Sequence, residues 1–215
     1  MEHPPIWCGT RYRTGCLFPA RILVVGESTY PGSPDDSTWL YNQRIPQEHI
    51  DGRLHHSFGT RLVRALLGCD RETTAQIEAV WQSVAFFNYI TVPLSGPGQA
   101  PSEDAWQAHH QPLDLRLVDL QPEVILFLSY RLWDRLIRNP VVKIEGGPLL
   151  EGAGRPHTYW FHIDTERRAL AYGMKHPTYM SWRTEHEYVT RLLRLVVPAN
   201  RRLHPTAPRL VDRRG

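Results

Sequence analysis

The chain of 215 residues is poor in cysteine, nearly without lysine, and has no long hydrophobic run. Each absence closes off a class of protein. Three cysteines, Cys8, Cys16 and Cys69, are too few and too scattered for a disulfide framework. The spacing of the first two is not that of a Cys-x-x-Cys metal knuckle, so no metal is expected and all three read as reduced thiols. No apolar stretch approaches the roughly 20 residues needed to cross a bilayer, so no membrane partner is expected. The start, Met1-Glu2-His3-Pro4-Pro5, has neither the basic region nor the apolar core of a secretory signal. The expected location is cytoplasmic. Lysine occurs only at Lys143 and Lys175, which leaves the positive charge almost entirely to arginine.

What is present argues for a folded globule. Hydrophobic residues make up 41%, with seven Trp and nine Tyr, enough to drive collapse into one buried domain at this length. That domain is predicted over residues 1–197. The remainder, 198–215, is a Pro-containing tail with Arg201, Arg202, Arg209, Arg213 and Arg214 against Asp212. It carries +4 of a net charge of +3, so the domain itself sums to −1. Such a tail suits either a polyanion or plain solvent.

The organising stretch is Ile22-Leu23-Val24-Val25-Gly26-Glu27-Ser28-Thr29-Tyr30-Pro31-Gly32. Apolar residues without alternation predict a strand buried on both faces, and Gly26 allows a sharp turn at its carboxyl end. Open α/β sheets bind ligands at that edge. Residues 1–19 read as an irregular arm, and 33–57, rich in Pro, Asp, His and Gln, as a long loop or short helical turns. A helix is predicted over 57–67, stopped by Gly68. Residues 84–92 read as a second buried strand with Asn88 embedded in it, followed by a turn-rich loop, 93–101. Ser102 is placed to cap a helix that Pro112 interrupts and that resumes to about Leu120. A third buried strand is predicted over 122–129, a short helix over 130–138, and a Gly/Pro-rich connection over 139–156. Strands over 158–163 and 169–174 then lead to the loop 175–182 and a final amphipathic helix. Alternating strands and helices predict an α/β fold, a mainly parallel sheet with helices on both faces. The loops 26–32, 93–101 and 175–182 should converge on one edge.

Three features at these strand ends resemble the uracil-DNA glycosylase superfamily. Its first motif reads Gly-Gln-Asp-Pro-Tyr-His in one family and Gly-Glu-Ala-Pro-Gly in another. The run Gly26-Glu27-Ser28-Thr29-Tyr30-Pro31 is similar to the first at Gly26 and Tyr30, and to the second at Gly26 and Glu27. Phe87-Asn88-Tyr89-Ile90-Thr91-Val92 resembles the asparagine-bearing second strand. His176-Pro177-Thr178-Tyr179-Met180-Ser181 resembles the closing His-Pro-Ser-Pro-Leu-Ser loop. The likeness spans roughly residues 20–197 by order and spacing.

The resemblance implies a three-layer α/β/α sandwich and an enzyme that flips a nucleotide out of DNA and hydrolyses its glycosidic bond. It implies no cofactor: the Gly-Glu-Ala-Pro-Gly group often carries an iron–sulfur cluster on four cysteines, and three unclustered ones do not supply it. DNA is the implied partner, and the chain is expected to act as a monomer. By the same likeness, His176 would donate to the leaving base and Asn88 would read its edge. Phe58 would stack on the base or simply fill the core. Ser28 and Tyr30 would line the base pocket, Thr178, Ser181 and Arg183 would grip DNA, and Met180 would wedge into the gap left by the base. The chain departs from the pattern at Ser28, where the best-known family has a water-activating Asp. Glu27 is the expected replacement, with Asp35, Asp36 and Asp104 as more distant substitutes. The target is then uracil or a modified base, for instance a hypermodified cytosine of phage DNA.

Two other readings stand beside this one. Gly26-Glu27-Ser28-Thr29 also resembles the Gly-Asp-Ser opening of serine esterases, with Ser28 as nucleophile and His176 as base. Those enzymes place an Asp three residues before the histidine, where this chain has Gly173. The third reading is a nucleic-acid-binding relative without catalysis.

Overall fold

In the computed structural model the described residues are 4–14, 17–29, 40–54, 57–96, 98–108, 110–150 and 157–197. The basic tail, Tyr30, Asp35 and Asp36 lie outside them.

Among the described residues seven strands form one sheet in the order β1-β3-β2-β4-β7-β6-β5. The strands are β1 (Trp7–Cys8), β2 (Ile22–Gly26), β3 (Val84–Asn88), β4 (Val124–Phe127), β5 (Ile144–Leu149), β6 (His157–His162) and β7 (Arg168–Gly173). The central four, β3, β2, β4 and β7, run parallel; β1, β6 and β5 pair antiparallel at the margins. The helices are α1 (Tyr41–Ile50), α2 (Ser57–Leu67), α3 (Thr74–Trp81), α4 (Glu103–Ala108), α5 (Leu113–Leu120), α6 (Tyr130–Ile137) and α7 (Trp182–Val196).

The lack of alternation in the central strands has a direct cause: both faces are covered. Ile22, Val24, Phe86 and Leu126 point to a layer with Leu62 and Leu66 of α2, Trp81 of α3 and Leu192 of α7. Leu23, Val25, Phe87 and Phe127 point the other way, toward Trp106 of α4, Leu117 of α5 and Trp133 of α6. Each such side chain, fully buried, contributes about 1.5–3 kcal/mol relative to exposure. The result is the expected three-layer α/β/α sandwich with a mainly parallel central sheet.

Local signals act as their chemistry requires. Gly68 ends α2 with φ +72°, a conformation that favours glycine. Ser102 Oγ accepts from the Ala105 amide (3.1 Å) at the start of α4, and Thr73 and Gln76 form a reciprocal capping box on α3. Three expectations need correcting. The segment read as loop or short turns contains the three-turn helix α1. The Gly/Pro-rich connection contains the half-exposed edge strand β5. The N-terminal arm contributes β1, which Trp7 anchors by donating from Nε1 to the Trp81 carbonyl (2.7 Å). Cys8 and Cys69 are free thiols. Among the described residues no helix is long and apolar enough to cross a membrane.

Candidate functional site

The register of the parallel strands fixes which residues meet at the carboxyl edge. Gly26 stands opposite Asn88, and Phe127 opposite Gly173. The backbone beyond β2 and β3 stays laced together: Tyr89 and Ile90 donate to the carbonyls of Gly26 and Glu27, and Leu94 to that of Thr29, each at 2.8 Å. The segments following β2, β3, β4 and β7 therefore open onto one cleft of about 580 Å³. Its walls include Glu27, Ser28, Phe58, Asn88, His176 and Thr178, so six of the sequence-selected residues are brought together.

Asn88 ends β3 with its side chain across Gly26. Its backbone amide donates to Asn42 Oδ1 of α1 (2.8 Å), and Asn42 in turn donates to the Pro5 carbonyl (3.1 Å), which pins the strand end from outside. The side chain is buried, and its Nδ2 has no hydrogen-bond partner among the described residues. A buried, unpaired amide donor costs free energy unless something fills the cleft and accepts from it.

His176 opens the 3-10 turn Pro177–Tyr179, and its Nδ1 accepts from the Thr178 amide (3.3 Å). An acceptor nitrogen carries no proton, so in the neutral ring the proton sits on Nε2, which becomes a donor. Burial pushes the pKa of His176 below the usual histidine value; Glu27 opposes that shift and Arg131 adds to it. The ring therefore stays neutral around neutral pH. Phe58 leans on it (centroids 5.8 Å apart) and on Phe86 behind (6.2 Å), so Phe58 serves the cleft wall and the core at once. Arg61, one turn further along α2, donates to the carbonyls of Pro177 (3.4 Å) and Thr178 and holds the turn in place.

Glu27 is buried, and both its oxygens are engaged. Oε2 accepts from Arg131 Nε (2.8 Å) and Ser129 Oγ (2.9 Å), and Oε1 accepts from Arg131 Nη2. Sequence reasoning did not select Arg131 or Ser129. Their signal is position alone: they follow β4, a parallel strand whose carboxyl end borders the same edge. Asp104 on α4 does not line the cleft.

A smaller chamber of about 290 Å³ adjoins the cleft and shares Ser28, Tyr41, Phe58, Asn88, His176 and Thr178 with it. Beyond those residues it is lined by Thr29, Arg44, Ile45, Glu48 and Leu54. Arg44 pairs with Glu48 (3.5 Å) and stacks over the Tyr41 ring (4.5 Å). Three of these side chains come from α1, so the segment 33–57 does shape the site.

The closing loop differs from expectation. Met180 is buried in the core layer that also holds Leu62 and Leu66 of α2 and Tyr188 of α7, and cannot wedge into a duplex. The cause is the 3-10 turn: the chain leaves it in extended conformation at Met180, which turns that side chain inward. Its neighbour Tyr179 points out instead, 67% exposed at the cleft mouth. Ser181 stands at the N-cap position of α7 without a side-chain cap bond, and its Oγ accepts from Thr184 Oγ (3.2 Å), away from the cleft. Arg183 is exposed, paired with Asp70 and stacked on Trp182 (4.9 Å), so it too stands outside the cleft. Tyr30 lies outside the described residues. Among the described residues no group of three or more side chains could hold a metal ion. No protein-family model matches this chain, and no curated protein matches it.

Proposed function

We propose that the chain is a DNA glycosylase that hydrolyses the N-glycosidic bond of uracil or a modified base and leaves an abasic site. The observation that carries this reading is the convergence, in one cleft, of a buried Asn88 amide without a partner and a neutral His176 with its proton on Nε2. Both are donors, and a departing base is an anion. As the C1′–N bond breaks, its electron pair goes to the base, and donors aimed at the developing charge lower the barrier. Phe58 supplies an aromatic face for a flipped ring. Water then adds to C1′ and gives its proton to a carboxylate, the role assigned to Glu27. The adjoining chamber beside α1 leaves room for a ring substituent, which favours a modified base as target.

The esterase reading loses support from the same histidine. A serine nucleophile needs an imidazole whose free nitrogen accepts its proton while Nδ1–H is held by a carboxylate. Here Nδ1 accepts from a backbone amide, and no hydrogen bond joins Ser28 to His176. The non-catalytic reading has one observation in its favour, the Arg131 guanidinium that neutralises Glu27.

Incubation with DNA containing uracil, mismatches or modified cytosines, followed by alkali, decides among them. Strand breaks at the target are expected, and Glu27→Gln should lower the single-turnover rate by about 10²–10⁴-fold. Intact strands on every substrate would leave the binding module; hydrolysis of a chromogenic short-chain ester would restore the esterase.

A further inference from the structure

Glu27 and Arg131 are unequally exposed. The carboxylate is buried, whereas the Arg131 side chain is 45% exposed, lining the cleft and also a wider groove beside it, bounded by Trp106 and Arg138. The guanidinium grips the carboxylate with two nitrogens, Ser129 Oγ adds a third donor, and Arg131 Nη2 also reaches the Gln99 carbonyl (3.1 Å). This fork of planar donors fits a carboxylate or a phosphate equally. The present occupant matches the arginine's charge in a place where the proposed chemistry needs a carboxylate facing a cationic sugar. A neutral ion pair stabilises that cation poorly. Independently, Asn88 Nδ2, buried and without a partner among the described residues, marks the cleft as complete only with a ligand in it.

We propose that Arg131 is the receptor for a phosphodiester of the substrate strand, and that Glu27 holds its place in the free protein. This rests on the nucleic-acid reading above. On binding, the phosphate takes the guanidinium and Glu27 keeps Ser129 alone. No covalent bond changes; one anion replaces another. A buried carboxylate deprived of its cation is unfavourable, and the deficit is made good only when positive charge develops on the sugar. Binding energy from a remote phosphate is thereby converted into an interaction realised in the transition state.

The full chain is titrated with a fluorescent single strand carrying one 2′-fluoro-deoxyuridine, which resists hydrolysis. A set of otherwise identical strands has each flanking phosphodiester replaced in turn by a neutral methylphosphonate. One position is expected to weaken wild-type binding by about tenfold or more, as loss of a charge-assisted bidentate contact should. Arg131→Gln should produce the same loss on the unmodified strand and be insensitive to that methylphosphonate, so that the two losses do not add. Glu27→Gln, which keeps the side chain's shape and removes the competing anion, should bind the unmodified strand about threefold or more tightly than wild type. That gain should disappear on the strand whose phosphodiester is neutral at that one position, which a general loss of negative charge in the cleft would not produce, and this decides the matter even if Arg131→Gln folds poorly. Unchanged or weaker binding by Glu27→Gln, or additive losses at every position, overturns the proposal while leaving the glycosylase reading in place. Failure of the wild type to bind these strands, and otherwise identical ones carrying a 2′-fluoro modified cytidine, removes both.

Discussion

Asn88 lies so close over Gly26 that a Cβ on Gly26 would come within 2.1 Å of Asn88 Oδ1. The first motif is thus defined by what it lacks, a side chain, because the second motif occupies that space. Gly26→Ala is expected to push the carboxamide out of line, cost about 1–3 kcal/mol as overpacking does, and lower base excision on the order of 10²-fold. Thermal denaturation together with single-turnover cleavage would show both effects. An alanine variant with normal excision would remove Asn88 from base recognition.

His176 should make the protein sensitive to acid. Its folded pKa is below the unfolded value near 6.5, so the unfolded chain binds more protons in that window. The contribution to stability is full above 6.5 and is lost as pH falls through the folded value, because the buried site penalises the charged ring. Urea denaturation from pH 7 down to pH 4 should show a decline that His176→Gln reduces. Excision by His176→Ala should be slower in single turnover even with saturating DNA.

Glu185 acts in the opposite direction. Burial in the first turn of α7 raises its pKa to about 7, and the Lys175 amide only partly offsets that. The folded state therefore holds the proton longer than the unfolded one. Stability is present below the unfolded value near 4.5 and is lost as pH rises through about 7, by up to about 3 kcal/mol. Glu185→Gln should flatten the dependence between pH 5 and 8 and raise the melting temperature at pH 8. A steeper dependence in the variant would contradict the assignment.

The two neighbours Tyr179 and Met180 should separate cleanly by assay. Met180→Ala leaves a core cavity and is expected to cost about 2–5 kcal/mol in stability, with equal effects on single- and double-stranded substrates. Tyr179→Ala should leave stability within about 0.5 kcal/mol and weaken activity on duplex more than on single strands, since only a duplex has a stack to open. Melting curves and paired substrate assays decide which side chain meets the helix.

Much of the fold was legible because it is carried by burial. The β2 and β4 runs have no alternation since both faces are covered, and α2 keeps its predicted limits since Gly68 stops it. What escaped was held by other means. The α1 helix has few apolar residues, a proline inside it, and Arg44 and Glu48 turned to the smaller chamber. The β5 edge contains Gly146, Gly147 and Pro148 and is only half buried, so no hydrophobic pattern marks it. In the site, strand-end placement correctly gathered Gly26, Asn88 and His176. Spacing alone did not reveal that the 3-10 turn reverses the sides of Tyr179 and Met180. Nor did any local signal mark Arg131 as the partner of a glutamate 104 positions away.

Helix α2 carries Phe58 on the cleft wall and, three residues later, Arg61 on the turn that bears His176. A wall and a proton donor mounted on one rigid rod cannot be tuned separately. Any drift of the rod that widens the cleft also withdraws the imidazole. A lineage that changes its target base would be expected to leave α2 alone and remodel α1, a wall of the smaller chamber that lies outside that linkage.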